Sequence, residues 1–194
     1  MKVTRLTLIR HGLTQWNKLG RYCGRKDVAL SKDGRRQAQC LAKQLKAARF
    51  DKVYSSDRKR SLQTARIVFK KAKIIRVSSL RELDFGVLEG LRHNEIMKKY
   101  PSVYRRWLND PYRDCIPGAE PMRVFKRRVK LGIEKIIRLN AGKDLAIVCH
   151  GGVIGIFISS ILKKKNFWRY IPKTASLTIV EHTRGIFKVK ERNG

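Results

Sequence analysis

Leu6-Thr7-Leu8-Ile9-Arg10-His11-Gly12 is an apolar, β-forming run, begun near Val3, that stops abruptly at a cation, an imidazole and a glycine. A buried parallel strand reads this way where it arrives at the edge of a site. The pattern returns far downstream, where Leu145-Ala146-Ile147-Val148-Cys149 ends in His150-Gly151-Gly152. Two of the four histidines therefore sit at the ends of two expected strands. If those strands are neighbours, both imidazoles face one crevice.

Between the two runs the chain alternates. Residues 13–30 are polar and aromatic, with Gly20 and Gly24, and read as a loop holding a short helical turn. Ser31 offers an N-cap to an amphipathic helix over 32–47, built on Ala38, Leu41, Ala42 and Leu45. A strand over 50–54 follows, then Ser55-Ser56-Asp57 turns into a helix over 58–70, with Asp57 or Ser56 as its expected N-cap. A strand over 73–77 completes β-α-β-α-β, an order that implies an α/β fold with a mostly parallel sheet. From 78 to 121 the rhythm breaks at Gly86, Gly90, Pro101, Pro111, Pro117 and Gly118, around short helices near 94–99 and 103–108. This stretch reads as a cap inserted over the sheet. Its Tyr100, Tyr104, Trp107 and Tyr112 either pack the cap on itself or line a pocket. A long helix over 122–140, built on Phe125, Val129, Ile133, Ile136 and Ile137, leads back to the second histidine strand. A buried helix over 152–162 and strands over 175–182 and 186–190, joined at Arg184-Gly185, finish the chain.

Composition bounds the function. Hydrophobic residues make up 42% of 194, enough for a packed core rather than disorder. Lys plus Arg number 46 against 15 Asp plus Glu, a formal charge of +31 that attracts polyanions and phosphorylated solutes or simply solvates the surface. Cys23, Cys40, Cys115 and Cys149 show no paired spacing, so neither a zinc site nor a disulfide framework is expected, and the cytoplasm is the expected home. No signal-type stretch and no run long enough to span a bilayer is read. The oligomeric state stays open, a homodimer included.

Arg10 beside His11 suits attack on a phosphoryl group, since imidazole is a nucleophile and guanidinium a planar anion fork. A strand-end histidine is as readily structural. Arg60, in the first turn of its helix, is a second phosphate clamp or an ordinary solvent-facing arginine beside Arg58 and Lys59. Glu82, at the start of the cap, could be kept protonated by burial and deliver its proton to a leaving alkoxide, or pair with Arg81. His150 could bond the equatorial oxygens of a transferring group.

These residues resemble a family. Leu8-Ile9-Arg10-His11-Gly12-Leu13-Thr14-Gln15-Trp16-Asn17 is similar to the signature of the histidine phosphatase superfamily. The likeness continues through Gly24, Asp27, Leu30-Ser31 and Gly34, through Ser55-Ser56-Asp57 with Arg60 and Thr64-Ala65, and through Leu80-Arg81-Glu82. It extends over Phe85-Gly86, Glu89-Gly90, Pro117-Gly118 with Glu120, and Val148 to Gly152. The resemblance implies a single domain over 1–194, a three-layer α/β sandwich with helices flanking the sheet and 78–121 as a small helical cap. It implies that His11 is the nucleophile, Glu82 the proton donor, and Arg10, Arg60 and His150 the phosphate pocket, with Asn17, Cys23, Gly24 and Gly151 contacting the phosphate. It implies no metal and no cofactor, and a small phosphorylated metabolite as substrate. Cys23 stands where related phosphatases usually carry glutamine, and Ala119 and Pro121 replace a frequent glycine and serine. The expected activity is a metal-independent phosphomonoesterase, nearest to alpha-ribazole phosphatases or broad-specificity phosphatases. The alternatives are a cofactor-dependent phosphoglycerate mutase and a nucleic-acid-binding protein on a phosphatase scaffold. His93 and His182 lie outside the motif.

Overall fold

The first apolar run forms strand β1 (Thr4–Arg10) and the downstream run forms β4 (Asp144–Cys149); they pair in parallel, with Arg10 opposite Cys149. The structure, a computed structural model, describes residues 2–193. Strands β2 (Lys52–Ser55), β3 (Ile74–Arg76), β5 (Leu177–Thr183) and β6 (Ile186–Asn193) complete one sheet in the order β3-β2-β4-β1-β5-β6. The first four strands of that order pair in parallel, and β5 and β6 add an antiparallel edge. Arg184 and Gly185 both take positive φ, 50° and 79°, as a two-residue hairpin turn between twisted strands requires.

Because β1 and β4 carry apolar side chains on both faces, helices must cover both. Helices α2 (Lys32–Gln44) and α3 (Lys59–Val68) cover one face, packing Leu41 and Ala65 on Ile9 and Val148. Helices α6 (Met122–Arg138) and α7 (Gly151–Ile161) cover the other, where Phe125, Val129, Val153 and Phe157 join Leu6, Leu8, Leu145 and Ile147. Helix α7 is apolar all round and buried without a break from Val153 to Ser159, which places its N-terminus firmly at the end of β4. Among the described residues, no helix is long and apolar enough to cross a membrane.

Residues 78–121 hold two 3₁₀ turns and the helices α4 (His93–Lys99) and α5 (Pro101–Asn109). Leu80, Leu83, Leu88 and Ile96 merge with the core that holds Leu6 and Leu8. Tyr104 stacks on Trp107, and its hydroxyl meets that of Tyr22 at 2.6 Å. These two aromatics therefore pack the cap against the body. The remaining helix, α1 (Gln15–Lys18), is one turn closed by a capping box between Thr14 and Asn17.

Two kinds of expectation need correction. The helix expected over 32–47 ends at Gln44, and the last strand runs past Lys190 to Asn193. The N-cap of α3 is neither Asp57 nor Ser56 but Arg58, whose side chain makes no capping bond. Asp57 is drawn away by Arg81, whose Nε donates to it at 2.8 and 3.0 Å. The capping bond comes from a distant loop instead, with Asp27 accepting the Lys59 N–H at 2.7 Å.

Helix α2 touches the loop after β1 backbone to backbone: a Cβ on Gly34 would lie 1.9 Å from the Leu13 carbonyl oxygen. Gly34→Ala is expected to destabilise the fold by about 1–3 kcal/mol, read as a lower urea midpoint. An unchanged midpoint would show that this contact is not tight.

Candidate active site

The register of β1 and β4 brings the residues just past their ends together, so the rings of His11 and His150 meet edge to face with centroids 5.2 Å apart. His11 is 4% exposed and His150 0%. His11 Nδ1 lies 2.7 Å from the Gly12 carbonyl oxygen. A carbonyl only accepts, so Nδ1 carries the proton and Nε2 keeps a bare lone pair. Burial first, then the charges of Arg60 and Arg10, hold this imidazole well below its ordinary pKa of 6.5, so it is neutral at neutral pH. His150 is held low in the same way, by burial, then Arg60, then His11 and Arg10. Its Nδ1 accepts from Arg60 Nε at 3.2 Å, which makes Nε2 the donor to Ser56 Oγ at 2.9 Å.

Arg10, the last residue of β1, donates from one Nη to the Pro172 carbonyl at 2.6 Å, while its Nε is buried with no partner. Its guanidinium packs on the backbone of Gly151, where a Cβ would lie 3.1 Å from Arg10 Cζ. Arg60, in the first turn of α3, is fully buried. It donates to the carbonyls of Lys26 at 2.9 Å, Gly24 at 3.0 Å and Cys23 at 3.3 Å.

Glu82 faces this group from the cap. Its Oε2 accepts the Gly152 N–H at 2.9 Å, at the N-terminus of α7, and its Oε1 accepts its neighbour's N–H, Leu83, at 3.0 Å. Those bonds and both arginines favour the carboxylate, yet burial outweighs them and raises its pKa above the ordinary 4.5. Gly152 has to be glycine for this contact, since a Cβ would fall 2.3 Å from Glu82 Oε1.

The cavity between these groups measures about 210 Å³. Arg10, His11, Asn17, Cys23, Glu82 and Gly151 all line it. Asn17 spends its carbonyl oxygen on Thr14, leaving the amide NH₂ to offer. Burial pushes the Cys23 thiol up to about 11, so it stays protonated. Arg60 and His150 stand behind His11 and do not wall the cavity. The structure does not bring Gly24 to it either, because its N–H is held by Glu89 and its carbonyl by Arg60. The aromatic walls are Tyr22, Phe85, Phe125, Phe167 and Trp168, none of them among the four that the sequence singled out. Their pocket-facing role had no sequence signal, since aromatics in loops and on helix faces read as core. Among the described residues, no group of three or more His, Cys, Asp or Glu side chains could hold a metal ion.

Glu89 is a tie beside the site that the spacing alone does not reveal. Its carboxylate accepts the backbone N–H of Arg25 at 2.8 Å, Gly24 at 3.0 Å, Phe85 at 3.1 Å and Lys26 at 3.3 Å. The loop so pinned is the one whose carbonyls hold Arg60. Thr64 adds a second tie, accepting the Gly12 N–H at 3.0 Å and donating to the Arg60 carbonyl at 2.8 Å. A bare imidazole nitrogen, a buried and a half-buried guanidinium, and a carboxyl whose pKa is raised by burial together suit a tetrahedral dianion.

Comparison with known proteins agrees with this chemistry. The description "Histidine phosphatase superfamily (branch 1)" matches residues 6–194. Phosphoserine phosphatase 1 of Hydrogenobacter thermophilus is 30% identical over 182 residues, which cover 92% of this chain and 86% of that protein. The adenosylcobalamin/alpha-ribazole phosphatase of Salmonella typhimurium is 28% identical over 194 residues, 97% of this chain and 96% of that one. Among solved structures, a putative alpha-ribazole-5'-P phosphatase of Escherichia coli superposes with a TM-score of 0.91 at 27% identity, covering 98% of this chain and 96% of the other.

If Glu89 positions Arg60 through its loop, Glu89→Ala should weaken orthophosphate binding, followed by calorimetry, at least about tenfold, because the freed N–H groups release the loop. Affinity equal to that of the unmodified protein would remove Glu89 from the site.

Proposed function

The chain belongs to the histidine phosphatase superfamily and is a phosphomonoester hydrolase; from that premise we propose that it works by double displacement through a phosphorylated His11. The observation that carries this reading is the tautomer of His11, whose Nδ1–H is tied to Gly12 so that Nε2 is a neutral, unpaired nucleophile at the end of the cavity. Nε2 attacks phosphorus, and the bond from phosphorus to the ester oxygen breaks as Glu82 gives that oxygen its proton. Glu82, now a carboxylate, takes a proton from the water that hydrolyses the phosphohistidine, and the site returns to its starting state.

Each remaining residue has a part. Arg10 offers its unpartnered Nε to the phosphoryl oxygens. Arg60 makes four bonds from five N–H groups, so it acts chiefly as a fixed positive charge behind the nucleophile. His150 is locked by Arg60 and Ser56 and supports that charge and the His11 ring. The amide of Asn17 and the N-terminus of α7 at Gly151 complete the cradle. Cys23 borders it with a neutral thiol.

For the leaving group, the aromatic walls favour an alcohol that carries a flat apolar portion, as in a nucleoside-like phosphomonoester. In this reading residues 78–121 serve as the cap that chooses among small phosphorylated metabolites. The four free cysteines agree with a reducing, cytoplasmic setting.

Hydrolysis of p-nitrophenyl phosphate should survive chelator and vanish in His11→Ala; turnover retained in that variant would end the mechanism. Glu82→Gln should lose about 10²–10⁴-fold in kcat/KM on an alkyl phosphate and far less on the nitrophenyl ester, whose leaving group needs little protonation. Activity on the alkyl ester should fall as pH rises through the raised Glu82 pKa, with no acid limb from His11 until well below pH 6.5. Ranking alpha-ribazole phosphate, phosphoserine and 3-phosphoglycerate by kcat/KM tests the cap, and phosphoserine in first place would overturn the preference for a flat leaving group.

A further inference from the structure

A second and larger cleft, about 880 Å³, adjoins the active-site cavity and shares Phe167 and Trp168 with it. Four lysines border it: Lys126 from α6, and Lys163, Lys164 and Lys165 from the turn that follows α7. The Lys126 ammonium sits 5.7 Å above the centre of the Tyr112 ring, so charge and aromatic face are presented together. Asp110 is the one carboxylate among the bordering residues; it is exposed, and its Oδ1 accepts the N–H groups of Tyr112 at 3.0 Å and Arg113 at 3.3 Å, so four lysines outweigh one acid at this cleft. Lysines after a helix also complement its C-terminal dipole, but that does not account for Lys126, which comes from a different helix.

Lysines interleaved with flat aromatic faces in a concave groove match a ligand whose anions and π-faces alternate. An acidic peptide would use the charge and leave Tyr112 and Trp168 idle. The basic row also outruns the cleft: Arg123 and Lys130 flank Lys126 at three and four residues on the same face of α6, Lys130 shared with Glu134 at 3.8 Å. That favours a strand over a mononucleotide. We propose that this cleft binds single-stranded nucleic acid, with phosphates on Lys126 and the 163–165 lysines and bases against Tyr112 and Trp168. The cleft adjoins the hydrolytic cavity at Phe167 and Trp168, and binding there does not depend on His11.

Fluorescence anisotropy with a labelled oligo-dT of about 15 nucleotides, at about 50 and 200 mM salt, tests the idea. Lys126→Ala combined with Lys164→Ala should weaken binding about tenfold at the lower salt and flatten the log–log salt slope by about 0.7 per lysine. Tyr112→Ala should weaken binding about tenfold and leave the slope unchanged. A control on the outer face of α2, Lys32→Ala with Arg35→Ala, should stay within about twofold, since it removes charge without touching the groove. Retained p-nitrophenyl phosphate turnover in the lysine and tyrosine variants shows that they fold. No binding at the lower salt, an equal loss in the control, or displacement of the oligomer by AMP at the same nucleotide concentration would each overturn the proposal.

Discussion

Two guanidiniums at one site, Arg60 fully buried and Arg10 half-buried, with no ion-pair partner are what the rest of this molecule is arranged around. Among the described residues, neither Arg10 nor Arg60 has a carboxylate within ion-pair distance, and Arg60 is fully buried. Isolated buried charge is expensive, so such an arrangement persists only if neutral dipoles hold it or a ligand completes it. Here carbonyls of Cys23, Gly24, Lys26 and Pro172 hold the cations, while Arg10 Nε has no partner. Burial first, and then the same field, hold both imidazole pKa values low. At Glu82 the field works against burial, and burial wins, raising its pKa above the ordinary value.

Holding carbonyls in that orientation needs a rigid loop, and the loop is made rigid from the cap. Glu89 gathers the N–H groups of residues 24–26 and of Phe85 on one carboxylate, so the peptide planes that bind Glu89 on one edge present their oxygens to Arg60 on the other. The segment that carries Glu89 therefore helps to fix the carbonyls around Arg60. Gly151 and Gly152 do the complementary work at α7, since their missing side chains let Arg10 and Glu82 reach the helix N-terminus from opposite sides.

Much of this was legible in the sequence, and the limits follow from what sequence patterns encode. The β1 and β4 runs were readable because a strand buried on both faces is a continuous apolar word, and each ended at its histidine. Arg60 and Glu82 were readable through a motif and not through spacing, because residues that converge only in the tertiary fold leave no periodicity. The N-cap of α3 was misplaced for the same reason: Asp57 has the right chemistry next to the helix, but Arg81 claims it, and the acceptor comes from Asp27 far upstream. Gly24 was expected at the phosphate because the family resemblance implied backbone approach there. The approach is real, but it is to Glu89 and Arg60. The aromatic walls stayed hidden because burial against a cavity and burial against a core demand the same residues.

The charge of +31 also takes a different meaning once the acids are placed. Asp27 caps α3, Glu89 gathers the loop, Glu82 faces the cavity, Asp57 ties Arg81, and Glu120 holds Arg128 at 2.8 Å. The remaining acids, several of them paired with exposed Lys and Arg, are far outnumbered by the 46 basic residues. The positive surplus is thus a property of the surface, and the fold itself does not need it. A surface of this sign raises the local concentration of any phosphorylated solute near the cavity mouth, an effect that weakens as salt rises. It also sets the background against which a particular basic groove has to be distinguished. Diffuse charge attracts every polyanion alike, and only aromatic faces held among the cations can turn attraction into a site.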